Sequence, residues 1–207
     1  MTSRMWACLR SVTSLKRLTI SKSSFSIPSS SPELPSVTNL SDVRVTSNSY
    51  EGLISLLPGV ENIDITIDDA EGDMAHITAG LRRTGGQKLK HIHLYGPSSL
   101  SPGSHVSEET MRGLGLIIKE HTQNLLELHL QSVKCRDEDD LVYLMECCRH
   151  VKTLQYVLLS KCGTTNNGRL HSYLGDQNRG SSDGFYVRFE HVRYTALLLR
   201  FVISMSH

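Results

Sequence analysis

Leu154-Gln155-Tyr156-Val157-Leu158-Leu159-Ser160-Lys161-Cys162 decides how this chain is read. Its skeleton is L-x-x-V-x-L-x-x-C, and two upstream stretches share the first six positions: Leu89-x-x-Ile92-x-Leu94 and Leu125-x-x-Leu128-x-Leu130. Aliphatic residues at alternate positions mark a strand with one face buried, because successive strand side chains point to opposite sides. Recurrence of one short strand motif along a chain marks an array of equivalent units.

Working outward, Leu9-x-x-Val12-x-x-Leu15-x-x-Leu18-x-Ile20 has the same spacing as Leu34-x-x-Val37-x-x-Leu40-x-x-Val43-x-Val45. Leu57-x-x-Val60-x-x-Ile63-x-Ile65-x-Ile67 follows with one residue fewer. Strand anchors at Leu18, Val43, Ile65, Ile92, Leu128 and Val157 give steps of 25, 22, 27, 36 and 29 residues. The longest step holds the turn-rich insertion Gly96-Pro97-Ser98-Ser99-Leu100-Ser101-Pro102-Gly103.

L-x-x-L-x-L-x-x-N/C is the signature of the leucine-rich repeat, which residues 9 to 162 resemble. Steps near 28 residues are similar to the ribonuclease-inhibitor-like subclass, which also forms the sensor region of nucleotide-binding leucine-rich-repeat immune receptors. In this chain isoleucine and valine often replace leucine. Cys162 fills the Asn/Cys position, whereas Ser23 and Val133 stand there in other copies. The resemblance implies an α/β solenoid, a horseshoe with a curved parallel sheet inside and helices outside.

Helical patterns fall between the strands. The spacing predicts helices over Glu51–Leu57, Asp73–Arg83, from Ser107 as N-cap through Ile118, and over Asp137–Cys148. The run Asp137-Glu138-Asp139-Asp140 suits the positive end of the last of these and needs no catalytic explanation. A doubly wound α/β domain would share the alternation but would carry a phosphate-binding loop, and no G-x-G-x-x-G follows any strand.

The expected organisation is an array over residues 1–162, a flexible linker over 163–184 and a non-repeat tail over 185–207. Trp6, Cys8 and Leu9 read as the tail of an outer helix, so the array is expected to be incomplete at its N-terminus, a piece of a larger receptor-like protein. The Gly-, Asn- and Ser-rich linker lacks the apolar content for a core. The tail alternation Phe185-x-Val187-x-Phe189 is expected not to extend the repeat.

If the aliphatic residues point into a shared core, the residues between them form the exposed, concave face. Its candidate contacts are Arg44, Thr66, His91, His93, Tyr95, Glu127, His129, Gln131, Tyr156 and Leu158, with a middle row reading Thr19, Arg44, Thr66, His93, His129, Leu158. Tyrosines and imidazoles among mixed polar groups suit a protein partner. A zinc or pH-sensing site is a second reading of His91, His93, Glu127 and His129, but exposed polar residues on a strand account for them, and no metal or other cofactor is expected.

Other classes fare worse. A formal net charge of +1 provides no global attraction for nucleic acid or an anionic membrane. Arg82-Arg83 with Lys88 and Lys90 lacks interleaved aromatic residues. The apolar run Ala196–Met205 is about half a membrane span and includes Arg200, so no membrane anchor is expected. Hydrolase, metalloprotease, nucleotide-loop and kinase signatures are all missing, so the chain is read as a non-enzyme. Five cysteines, an odd number without a CxxC, point to reduced thiols in the cytoplasm, with Cys148 and Cys162 filling core positions.

The expectation is therefore a protein-binding module resembling part of an intracellular innate-immune receptor. The alternatives are a substrate adaptor of a ubiquitin ligase and an inhibitor of the ribonuclease-inhibitor kind. An F-box-like segment before the repeats would favour the first, and an acidic inner face the second.

Overall fold

The computed structural model describes residues 8–9, 11–20, 27, 33–96, 105–160 and 162, and the backbone of 186–190. Trp6, the insertion at 97–104, the linker at 163–184 and the tail outside 186–190 lie outside the described residues.

Seven strands run in chain order through one all-parallel sheet: β1 (Arg17–Thr19), β2 (Asn39–Val43), β3 (Asn62–Thr66), β4 (His91–Tyr95), β5 (Glu127–Gln131), β6 (Tyr156–Ser160) and β7 (Tyr186–Glu190). Parallel neighbours need a long return connection. Among the described residues four of these carry a helix: α1 (Ser47–Ser55), α2 (Ala70–Thr84), α3 (Glu108–His121) and α4 (Glu138–Arg149). The α/β class and the parallel sheet flanked by helices agree with the sequence reading.

In β3, β4 and β5 the second and fourth positions are buried and the others half-buried. Leu18, Leu40, Ile63, Ile92, Leu128 and Val157 stand side by side, and Val187 follows in register on β7. A second buried row holds Val43, Ile65, Leu94, Leu130 and Leu159. With Tyr50, Leu53, Ile54, Met74, Ile77, Leu81, Met111, Leu114, Ile118, Leu141, Leu144 and Cys148 from the helices, these rows form one continuous core.

Backbone hydrogen bonds repeat with the units. Ahead of each of β1 to β6 a tight turn brings the N–H of Leu15, Val37, Val60, Leu89, Leu125 or Leu154 to the carbonyl three residues earlier. Each donor precedes its strand's first buried residue by three. Two successive N–H groups then donate to one carbonyl of the preceding unit: Thr38 and Asn39 to Lys16, Glu61 and Asn62 to Thr38, Lys90 and His91 to Glu61, Leu126 and Glu127 to Lys90, Gln155 and Tyr156 to Leu126. These bonds satisfy the turn amides that enter the sheet at successive strands.

This register corrects two of the expected anchors. Val43 pairs with Ile65, and Ile65 with Leu94, so neither lies on the row of Leu18 and Ile92. Leu40 and Ile63 take their places, and the spacings become 22, 23, 29, 36, 29 and 30 residues through Val187. The cause in β2 is an irregularity between Leu40 and Val43, where Asp42 takes a left-handed φ of 52° and adds a residue to the strand. Within the tail, Tyr186–Glu190 pairs in parallel with β6 as the seventh strand of the sheet.

The helices begin earlier or end later than the apolar spacing predicted. Helix α1 starts at Ser47 rather than Glu51, after Thr46, because Tyr50 turns into the core and its hydroxyl donates to the Thr66 carbonyl at 2.8 Å. Helix α2 starts at Ala70 rather than Asp73, and buried Asp73 accepts from the N–H groups of Asp68 and Asp69 at 2.8 and 3.1 Å. It ends at Gly85, whose φ of 71° suits glycine. Ser107 caps α3 as expected, accepting from the Thr110 N–H at 3.3 Å. In α4 Asp137 is the N-cap, leaving Glu138, Asp139 and Asp140 in the first turn. No helix among the described residues is long and apolar enough to cross a membrane.

Candidate functional site

Helices cover the face of the sheet that carries the buried rows. The other face carries side chains, half-buried apart from the buried Ser160, in three rows fixed by the strand register. The first row is Asn39, Asn62, His91, Glu127, Tyr156; the middle row is Asp64, His93, His129, Leu158; the third is Thr66, Tyr95, Gln131, Ser160. Side chains in neighbouring strands touch because parallel strands lie about 4.8 Å apart.

The sequence-derived candidates divide on this map. His91, His93, Tyr95, Glu127, His129, Gln131, Tyr156 and Leu158 share one continuous area across β4, β5 and β6. Thr66 lies at its edge, beside Tyr95 rather than His93. Arg44 falls outside: it follows β2, and its guanidinium makes two bonds to Asp68, at 2.6 and 2.5 Å. The expected middle row was wrong at these two positions, and Asp64 is the residue that stands opposite His93. Asp64 was legible as an outward residue, and only the shifted anchor hid its neighbour.

The centre of the area is a ring cluster. His93 and His129 lie 5.4 Å apart between centroids, Tyr95 and His129 5.3 Å, and His93 and Tyr95 6.4 Å, all edge to face. Edge-to-face contact aligns the positive ring edge with the negative ring face. Glu127 joins the cluster from β5. Its Oε2 is 3.2 Å from His91 Nδ1, and its Oε1 is 3.4 Å from His93 Nε2. Below it, the Asn62 amide donates to Asn39 Oδ1 at 2.6 Å, tying β3 to β2.

Burial under this cluster raises the Asp64 carboxyl above the usual range, and Asp42 adds to the rise while His93 and His129 oppose it. Burial also raises the Tyr95 hydroxyl, reinforced by Asp64 and Glu127, so it stays a neutral donor. The area therefore presents carboxyl, imidazole and phenol side chains, with no lysine or arginine at an outward position of β3 to β6.

The chain matches no family model and no curated protein. Function therefore has to be argued from the site itself.

Four of the five thiols pack in the interior. Cys135, Cys147, Cys148 and Cys162 are buried, Cys8 is exposed, and none is in a disulfide. Cys162 places Sγ 3.2 Å from the Leu130 carbonyl, a strand away, and burial pushes its thiol up to about 12. A thiol this protonated packs as a small apolar group with a weak donor. The Asp137–Asp140 carboxylates open α4, as the sequence suggested, and Asp137 accepts from the Asp139 N–H at 3.2 Å.

Proposed function

We propose that this chain is a recognition module of the leucine-rich-repeat type that binds a protein partner through the open face of its sheet. What supports the reading is one observation: a strictly sequential parallel sheet, in register from β3 to β6, with helices against one face and half-buried imidazole, tyrosine and carboxylate side chains on the other.

Sheets of parallel strands are ordinarily covered on both sides. Repeat arrays are the exception, because each unit buries its apolar side against its neighbours and leaves an extended surface to a ligand. In this reading the open face is the inner, concave one. Tyr95, His129, Tyr156 and Leu158 supply the apolar and aromatic contacts, and Glu127 and Gln131 the polar ones. Tyrosine in such a position offers a large contact area at little entropic cost, which makes it a frequent energetic anchor. By its repeat pattern the module belongs with the ribonuclease-inhibitor-like group and, by that likeness, with the sensor regions of intracellular immune receptors.

The test is site-directed photo-crosslinking in cells. A photoreactive residue at Leu158 on the open face is compared with one at exposed Glu146 on the helix side. The reading expects a discrete protein adduct at position 158 that is lost on Tyr156→Ala or His129→Ala, and none at 146. Adducts formed equally at both positions, or insensitive to those changes, would move the contact surface elsewhere.

A further inference from the structure

We propose that His91, His93 and Glu127 form a binding site for a divalent transition-metal ion, zinc foremost, on the open face of the sheet. As a spacing, His-x-His plus a distant glutamate is a weak metal signature. The fold supplies what the spacing lacked.

His91 and His93 are two residues apart on β4, so both rings project to the same side. In β5, Glu127 stands directly beside His91. One ligand atom from each of the three lies within 4.8 Å of the others. Two of the spacings are already short, 3.2 Å from Glu127 to His91 Nδ1 and 3.4 Å from Glu127 to His93 Nε2. Ligands held at about 2.0–2.2 Å around a tetrahedral zinc sit roughly 3.3 Å from one another. The two short spacings use different oxygens of Glu127, Oε2 and Oε1, so the side chains close in by a rotation of the carboxylate and rings when the ion binds.

The protein leaves these groups poorly satisfied among themselves. His93 Nε2 is buried and makes no hydrogen bond despite its nearness to Glu127. One carboxylate serves two imidazoles. Asp64 faces His93 from β3, Asp42 adds to the field at Asp64, and no cation occupies an outward position from β3 to β6. Glu127 is placed to bind the ion directly, and the Asp64 carboxyl stands beside His93 on the neighbouring strand. Two imidazoles and a carboxylate match the preference of zinc and leave one position for water or for a donor from outside the chain.

This inference concerns the chain alone and does not depend on the partner reading. It is tested on the full chain carrying Cys8→Ser, which removes the one exposed thiol as a competing ligand. Zinc is titrated calorimetrically, and cobalt(II) is followed by its visible absorption. The expected result is one equivalent of zinc per chain, and a cobalt spectrum of nitrogen and oxygen ligands without a thiolate charge-transfer band. Glu127→Gln and His91→Gln, each at a half-exposed position, should weaken binding more than about tenfold, since even an outer partner of a ligand is worth that much. His76→Gln on α2 should leave it unchanged. Absence of saturable binding, binding unaltered by both ligand substitutions, or a thiolate band would each overturn the proposal.

Discussion

Glu71, in the first turn of α2, closes onto Ser107, the N-cap of α3. Its Oε2 accepts from the Ser107 N–H at 2.5 Å and its Oε1 from the Ser107 hydroxyl at 2.8 Å, while the Thr110 hydroxyl donates to Oε1 at 2.8 Å. One carboxylate thereby completes the cap of the next helix and ties two successive units together across 36 residues.

This carboxylate carries a pH dependence with a definite sign. Burial alone would raise it, but the Ser107 N–H, the two hydroxyls and nearby Arg136 outweigh that and hold it below the usual glutamate range. A depressed group adds stability above its unfolded value, and that stability is lost as pH falls through the folded one. Glu71→Gln is expected to cost about 1–2 kcal/mol near pH 7, the range for charge-assisted bonds at a half-buried site. The deficit should shrink as pH falls below the ordinary glutamate value of about 4.3 and through the lower folded one, where the wild-type glutamate also becomes protonated. Urea denaturation at the two pH values measures it, and an equal loss at both would remove the charge from the explanation.

Helix packing makes a prediction at Gly80. A Cβ there would lie 2.9 Å from the Ile54 Cβ and 3.2 Å from the Glu51 backbone, so α1 and α2 touch where the side chain is missing. Gly80→Ala should gain about 1 kcal/mol of helix propensity. Overpacking against a rigid neighbour costs about 1–3 kcal/mol. The expected sum is a net loss, read as a lower Tm; a variant more stable than the wild type would show that the two helices separate without cost.

Thiol chemistry should follow burial. Of the five cysteines, only Cys8 is exposed. Burial raises the thiols of Cys135, Cys147, Cys148 and Cys162, and only the thiolate attacks a disulfide reagent. One thiol per chain should react rapidly in the native protein and all five after denaturation. Two or more fast thiols in native conditions would mean that the units open locally.

The aliphatic periodicity was enough to state the α/β class, the parallel strands and the outward residues of β4, β5 and β6. Where it misled, the error has a physical origin. Ile63, Ile65 and Ile67 are all buried, and a slip of two residues leaves every side chain on its own face, so composition cannot say which isoleucine opens the motif. In β2 the added residue at Asp42 breaks the alternation that the reading relied on. Val37 and Val60 held the answer, three residues before Leu40 and Ile63, but only their turn hydrogen bonds single them out.

The sequence by itself determined which side chains turn inward along β3 to β6, because burial of apolar area selects one face of a strand whatever lies beside it. Which outward residues meet was decided only in the tertiary structure. His91, His93 and Glu127 converge because two strands 36 residues apart align in one register, and that register is set by backbone hydrogen bonds between units. Those bonds are indifferent to side-chain identity, so no pattern of residue types encodes them.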